Sequence, residues 1–157
     1  MGSSASRSPK SNETLQPFKA PLPTENPSQI QEEELDKTSM AKTQNDLGKS
    51  LRAQGRIQES TVALQKAIEL DPSNVEYHLD FALVLREERR YAEVIEVDKA
   101  IIKLQPESVD AHFHLGTDLE ECARKVEAMK AFEVALTIDP THARTYHAIG
   151  CLFLSDR

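Results

Sequence analysis

Three prolines frame this chain. Pro72, Pro106 and Pro140 stand 34 residues apart, and each closes a similar run: "AIELDP", "IIKLQP" and "ALTIDP". Small residues keep the same step at Gly48, Ala82, Gly116 and Gly150. A fixed period of this size marks stacked supersecondary units, each too small to bury its apolar face alone. Between prolines the apolar residues fall into two helical runs. In the first unit Leu47 and Leu51 form one run and Leu64, Ala67 and Ile68 the other, with "QGR" around Gly55 as the break.

Each recurring residue answers a physical need. Glycine inside a helix costs about 1 kcal/mol against alanine, so Gly48, Gly116 and Gly150 at one phase imply that a neighbouring helix comes close. Proline cannot continue the helix before it, and the residues after it are candidate caps: Ser73 with Glu76 as a capping box, then Ser108 and Thr141. The expected fold is all-α, a right-handed α-solenoid of antiparallel helix pairs. It has three full repeats, about 41–74, 75–108 and 109–142, and one terminal helix over 143–157. The first helix of each pair lines a concave groove.

At this level the chain resembles the tetratricopeptide-repeat family. The third unit, "VDAHFHLGTDLEECARKVEAMKAFEVALTIDPTH", places Leu115-Gly116, Leu119, Ala128, Phe132, Ala135 and Pro140 in that family's phase. The first unit does so with Leu47-Gly48, Leu51, Ser60, Leu64, Ala67 and Pro72. The second departs, carrying Val94 and Ile101 where small residues are wanted and Asp98 where its siblings have Leu64 and Phe132. An unpaired carboxylate in a core costs several kcal/mol. The second helix of this unit is therefore expected to rotate, with Ala100 taking the close contact and Asp98 reaching the exposed edge; the alternative is a cationic partner for Asp98.

Outside the repeats, residues 1–28 hold five of the eight prolines and few side chains worth burying, a composition expected to stay disordered. Gly2 in "MGSSAS" fits an N-myristoylation site. One acyl chain gives only weak peripheral membrane contact. The repeat domain is expected over 29–157, its first helix running from near Gln29 to about Ala53 behind a capping box of Ser28 and Gln31. A net charge of −7 argues against nucleic acid as partner, because that binding draws on clustered Lys and Arg. Two cysteines and no secretory leader fit a reducing, cytoplasmic location, and no apolar run is long enough for a transmembrane span. The last helix carries Ile149, Cys151, Leu152, Phe153 and Leu154. That is more apolar surface than one buried face needs, so further chain, a partner or a second copy of the protein is expected to cover it.

Residues able to do chemistry are scattered. His112 and His114, two apart on a helix, point in different directions, and neither Cys122 nor Cys151 has CxxC spacing. No glycine-rich phosphate loop exists, and the acids read as solvated helix faces. No enzyme activity, cofactor or metal site is expected, which leaves the groove. The resemblance implies ligand contacts at fixed positions of each first helix. These are Lys42, Asn45, Lys49 and Arg52, then Glu76, Leu79, Leu83 and Arg86, then Asp110, Phe113, Thr117 and Glu120, with Arg144, His147 and Cys151 beyond. Leu79, Leu83 and Phe113 are expected to form an apolar floor between charges.

Some family members clamp the C-terminal carboxylate of heat-shock chaperones. At the matching positions stand Asn45, Lys49, Asp80, Asp110 and His114, and two acids would repel a carboxylate. The expected function is a non-enzymatic adaptor or scaffold that docks a peptide of another protein, with apolar anchors and basic residues, and is no chaperone-tail clamp. The alternative is a regulatory or targeting segment of a larger enzyme or membrane-associated complex.

Overall fold

The computed structural model describes the backbone of residues 27–154 and side chains from residue 34 to residue 154. Residues 1–26 of the expected tail, with the candidate lipidation site Gly2, lie outside the described residues, whereas Pro27 and Ser28 already belong to the first helix, which starts two residues before the expected Gln29. Seven helices follow in order: α1 Pro27–Ala53, α2 Ile57–Leu70, α3 Val75–Glu87, α4 Tyr91–Leu104, α5 Val109–Glu121, α6 Lys125–Ile138 and α7 Ala143–Leu154. Among the described residues there is no strand. Short connections fold the helices into antiparallel pairs, and each helix packs on the next. Helix α1 also touches α3, and α5 touches α7, whereas α3 and α5 meet through side chains, and α2, α4 and α6 do not touch one another. The odd-numbered helices therefore form the inner wall of a curved solenoid, drawn together at α1–α3 and α5–α7, and the even-numbered helices splay along its outside.

The turns repeat as faithfully as the prolines. Among the described residues, Gly55, Arg89 and Ala123, 34 apart, have positive φ, at 74°, 56° and 57°. This left-handed residue lets the next amide bond back into the ending helix: Arg56 N to Leu51 O, Arg90 N to Leu85 O and Arg124 N to Leu119 O, at 2.9, 3.0 and 2.9 Å. Each of these arginines then pairs with a glutamate three residues on, Glu59, Glu93 or Glu127. At the proline turn a ring reaches back to the proline carbonyl. His78 and His112 meet Pro72 O and Pro106 O at 2.9 Å, and the Tyr146 hydroxyl donates to Pro140 O at 3.0 Å.

Helix starts differ in part from the capping expected. Ser108 does cap α5, accepting from the Ala111 amide. For α3 the cap is Asn74, one residue past Ser73, because the Ser73 hydroxyl is taken up by Asp71 at 2.7 Å. The Thr141 hydroxyl likewise turns back to Asp139.

The core corrects the reading of the second repeat. In α2, α4 and α6 the buried residues share one phase: Ser60, Leu64 and Ala67; Val94, Asp98 and Ile101; Ala128, Phe132 and Ala135. Helix α4 has not rotated, and Asp98 sits at the centre of the inner face, 1% exposed. A Cβ on Gly48 would come within 2.5 Å of Leu64 Cγ, and one on Gly116 within 2.3 Å of the Phe132 ring, so both glycines meet their partner helix through backbone. In the second repeat the smaller Asp98 goes with Ala82 in place of glycine. A Cβ on Gly150 would meet nothing within 4 Å, so this glycine does not make the expected close approach.

Candidate functional site: the inner wall

Two zones of different character make up the inner wall. Where α1 faces α3, charge meets charge. Lys49 Nζ lies 3.2 Å from Glu76 and 3.5 Å from Asp80. Arg52 donates to Glu87 through Nε at 2.9 Å and a terminal nitrogen at 2.6 Å. Hydrogen bonding to Glu76 and Glu87 respectively raises both basic groups above their ordinary pKa. Asn45 is buried and donates to Asp80 at 2.9 Å, leaving its Oδ1 buried without a partner. Lys42 stays exposed, and beside this ladder Leu79 and Leu83 are exposed by 44% and 39%.

Where α5 faces α7 the wall opens into a cleft of about 590 Å³, lined by Phe113, Thr117, Glu120, Arg144, His147 and Cys151. Phe113 is buried, not exposed on the floor as the sequence suggested. Its ring lies 6.0 Å from Phe132 and 5.5 Å from both His114 and His142, and the Arg144 guanidinium caps its face at 4.5 Å. The solvated face of this aromatic is thus a cation. Asp110, itself exposed, draws Arg144 to 3.7 Å. Thr117 donates to His114 O at 2.8 Å, and Cys151 Sγ stands 3.8 Å from His147 Nδ1.

Between the zones Arg86 turns away from the groove. Its Nε lies 3.0 and 3.2 Å from the two Asp118 oxygens, and its terminal nitrogen 2.7 Å from Asp118 and 3.0 and 3.1 Å from the oxygens of Asp98. The cationic partner, and not edge exposure, is how Asp98 is accommodated. Burial first, and then hydrogen bonding to Asp118, push its carboxyl up to about 8 against the opposing pull of Arg86. Burial, with Arg86 adding to it, holds the His114 imidazole below its ordinary value. The sequence reading missed Asp118. Its signal was phase, since it stands 34 residues from buried Val84 and from buried Leu152.

At the end of the described chain, Leu152 of α7 is buried while Tyr146, Phe153 and Leu154 are exposed. Among the described residues no cluster of three or more His, Cys, Asp or Glu is placed to hold a metal ion. None of the described helices is long and apolar enough to cross a membrane.

A family model for the TPR repeat matches residues 48–87. Among solved structures, the chain is similar to the Arabidopsis OM64 TPR domain, at 18% identity and a TM-score of 0.66, covering 76% of this chain and 98% of that one. The N-terminal domain of stress-induced protein-1 (STI-1) from C. elegans aligns at 24% identity and 0.66, covering 74% and 96%. The first TPR of Spaghetti (RPAP3) bound to HSP90 peptide SRMEEVD aligns at 17% and 0.66, covering 75% and 94%. No curated protein matches the chain.

Proposed function

We propose that this chain, which matches the TPR-repeat model over residues 48–87 and has the fold of TPR domains, is a non-enzymatic adaptor whose inner wall docks an extended or helical segment of another protein. The observation that carries this reading is the division of that wall into a self-neutralised ladder and an open cleft. Lys49 and Arg52 are already held by acids of α3, so they offer little to an acidic ligand. Leu79, Leu83 and the α5–α7 cleft offer apolar anchorage, with Glu120 at the cleft and exposed Glu121 next to it. A segment with two or three apolar anchors and flanking Lys or Arg fits this surface.

One of the similar structures holds an HSP90 peptide. Here Asp80 occupies Asn45 and Lys49, and Asp110 faces Arg144, so a terminal carboxylate finds no free cation pair. Binding would be tested with an array of peptides varying in apolar and basic content. Leu79→Ser, Leu83→Ser and Thr117→Lys combined leave Phe113 in the core and are expected to abolish selection of apolar-basic peptides. Unchanged selection by this variant would remove the inner wall as the site, and saturable binding of a peptide with an acidic carboxyl terminus would refute the discrimination against chaperone tails.

A further inference from the structure

The joint between the second and third repeats encloses one cation and two anions. Asp98 on α4 and Asp118 on α5 are 1% and 3% exposed, and Arg86 on α3 bonds to both. With both carboxylates ionised, this interior would carry an uncompensated negative charge away from water, which low-dielectric surroundings strongly disfavour. We infer that Asp98, buried against Asp118 with Arg86 as their one cation, keeps its proton at neutral pH, making the α3–α4–α5 joint a latch that loosens as pH rises.

The geometry supports a protonated pair. One terminal nitrogen of Arg86 reaches Asp98 at 3.0 and 3.1 Å and Asp118 at 2.7 Å, which holds the two buried acids side by side at a single counter-charge, and hydrogen bonding with Asp118 is, after burial, what pushes the Asp98 carboxyl up. Two acids competing for one counter-charge cannot both ionise cheaply and titrate as a unit. The charged groups acting on Asp98 are Arg86 from α3 and Asp118 from α5; burial is the largest cause of its upward shift, to about 8. His114, on α5 and within the influence of Arg86 and Asp118, is driven towards the neutral form and supplies no second cation. Arginine does not give up its proton in this range. The sibling repeats have Leu64 and Phe132 at the position of Asp98, so neither has an acid there.

Folding takes up a proton wherever the folded carboxyl holds it more tightly than the unfolded one. The ordinary value for an aspartate is 3.8 and that of folded Asp98 about 8, so stability falls as pH rises through that window and levels off above it. On release the carboxyl O–H bond breaks and the proton goes to water, leaving two carboxylates against one guanidinium. Their repulsion acts between α4 and α5. The joint between the second and third repeats loosens with it.

The test uses the full chain. Carbon-13 carboxyl NMR should show one aspartate of the pair titrating near or above neutrality, and the folding equilibrium constant should fall by up to about tenfold per pH unit between roughly pH 5 and pH 8. Asp98→Asn, which keeps the shape and cannot ionise, should flatten that dependence. The inference is overturned if every aspartate carboxyl titrates below about pH 5, or if Asp98→Asn keeps the wild-type slope. Should that variant not fold, the wild-type titration alone decides.

Discussion

The Phe132 ring lies over the backbone of Gly116 so closely that a β-carbon there would come within 2.3 Å of it. Leu64 covers Gly48 in the same way at 2.5 Å. Gly116→Ala and Gly48→Ala should therefore destabilise by roughly 1–3 kcal/mol, overpacking outweighing the helix propensity gained. At Gly150, where the space is open, alanine should stabilise by up to about 1 kcal/mol. Denaturant titration of the three variants checks this prediction; equal effects at all three would refute the packing argument.

Arg89 and Ala123 hold the left-handed conformation that Gly55 holds in the first repeat. A side chain there costs roughly 1–2 kcal/mol, partly offset by the freedom that glycine gains in the unfolded chain. Ala123→Gly and Arg89→Gly are expected to raise stability by roughly 0.5–1 kcal/mol, while Gly55→Ala lowers it. A loss of thermal stability on making Ala123→Gly would show the turn to be unstrained.

Arg86 is the counter-charge for two buried carboxylates. Arg86→Met should cost about 3–5 kcal/mol at neutral pH, because it leaves the buried acid pair without its cation. The double change Ala82→Gly with Asp98→Leu rebuilds the pairing that Gly48 and Leu64 make, and leaves Arg86 with Asp118 alone. Such apolar replacements of buried ions are neutral or stabilising by up to about 4 kcal/mol. Comparing the two variants by urea unfolding separates them, and marked destabilisation of the double variant would contradict this account of the second repeat.

The ladder between α1 and α3 is solvent-exposed. Lys49→Ala and Arg52→Ala should each change stability by less than about 1 kcal/mol. They should also free Glu76 and Glu87, leave Asp80 to Asn45 alone and so strengthen binding of basic peptides, an effect that weakens with added salt. Calorimetric titration at two ionic strengths gives the answer; weaker binding by these variants would mean that the ligand itself uses the two cations.

Tyr146, Phe153 and Leu154 are exposed on α7. Self-association through this face predicts a scattering mass that grows with concentration and returns to that of a monomer in Phe153→Ser with Leu154→Ser. A wild-type chain that stays monomeric throughout would eliminate it.

The primary structure alone determined the period, the division into helix pairs and the phase buried by the second helices of the first and third pairs; in the second pair Asp98 hid it. Those features come from turns and helices, which form from residues close in the chain, and the 34-residue step writes each of them several times. What only the tertiary structure decided is where the long and the charged side chains go. Arg86 left the groove for Asp98 and Asp118, 12 and 32 positions away. Asn45 sank beneath the wall to meet Asp80, 35 away, and Phe113 was closed over by Arg144. A side chain at the margin of a helix can lie against either neighbour, and its choice depends on charge and space supplied by another helix. Local periodicity carries no record of that supply.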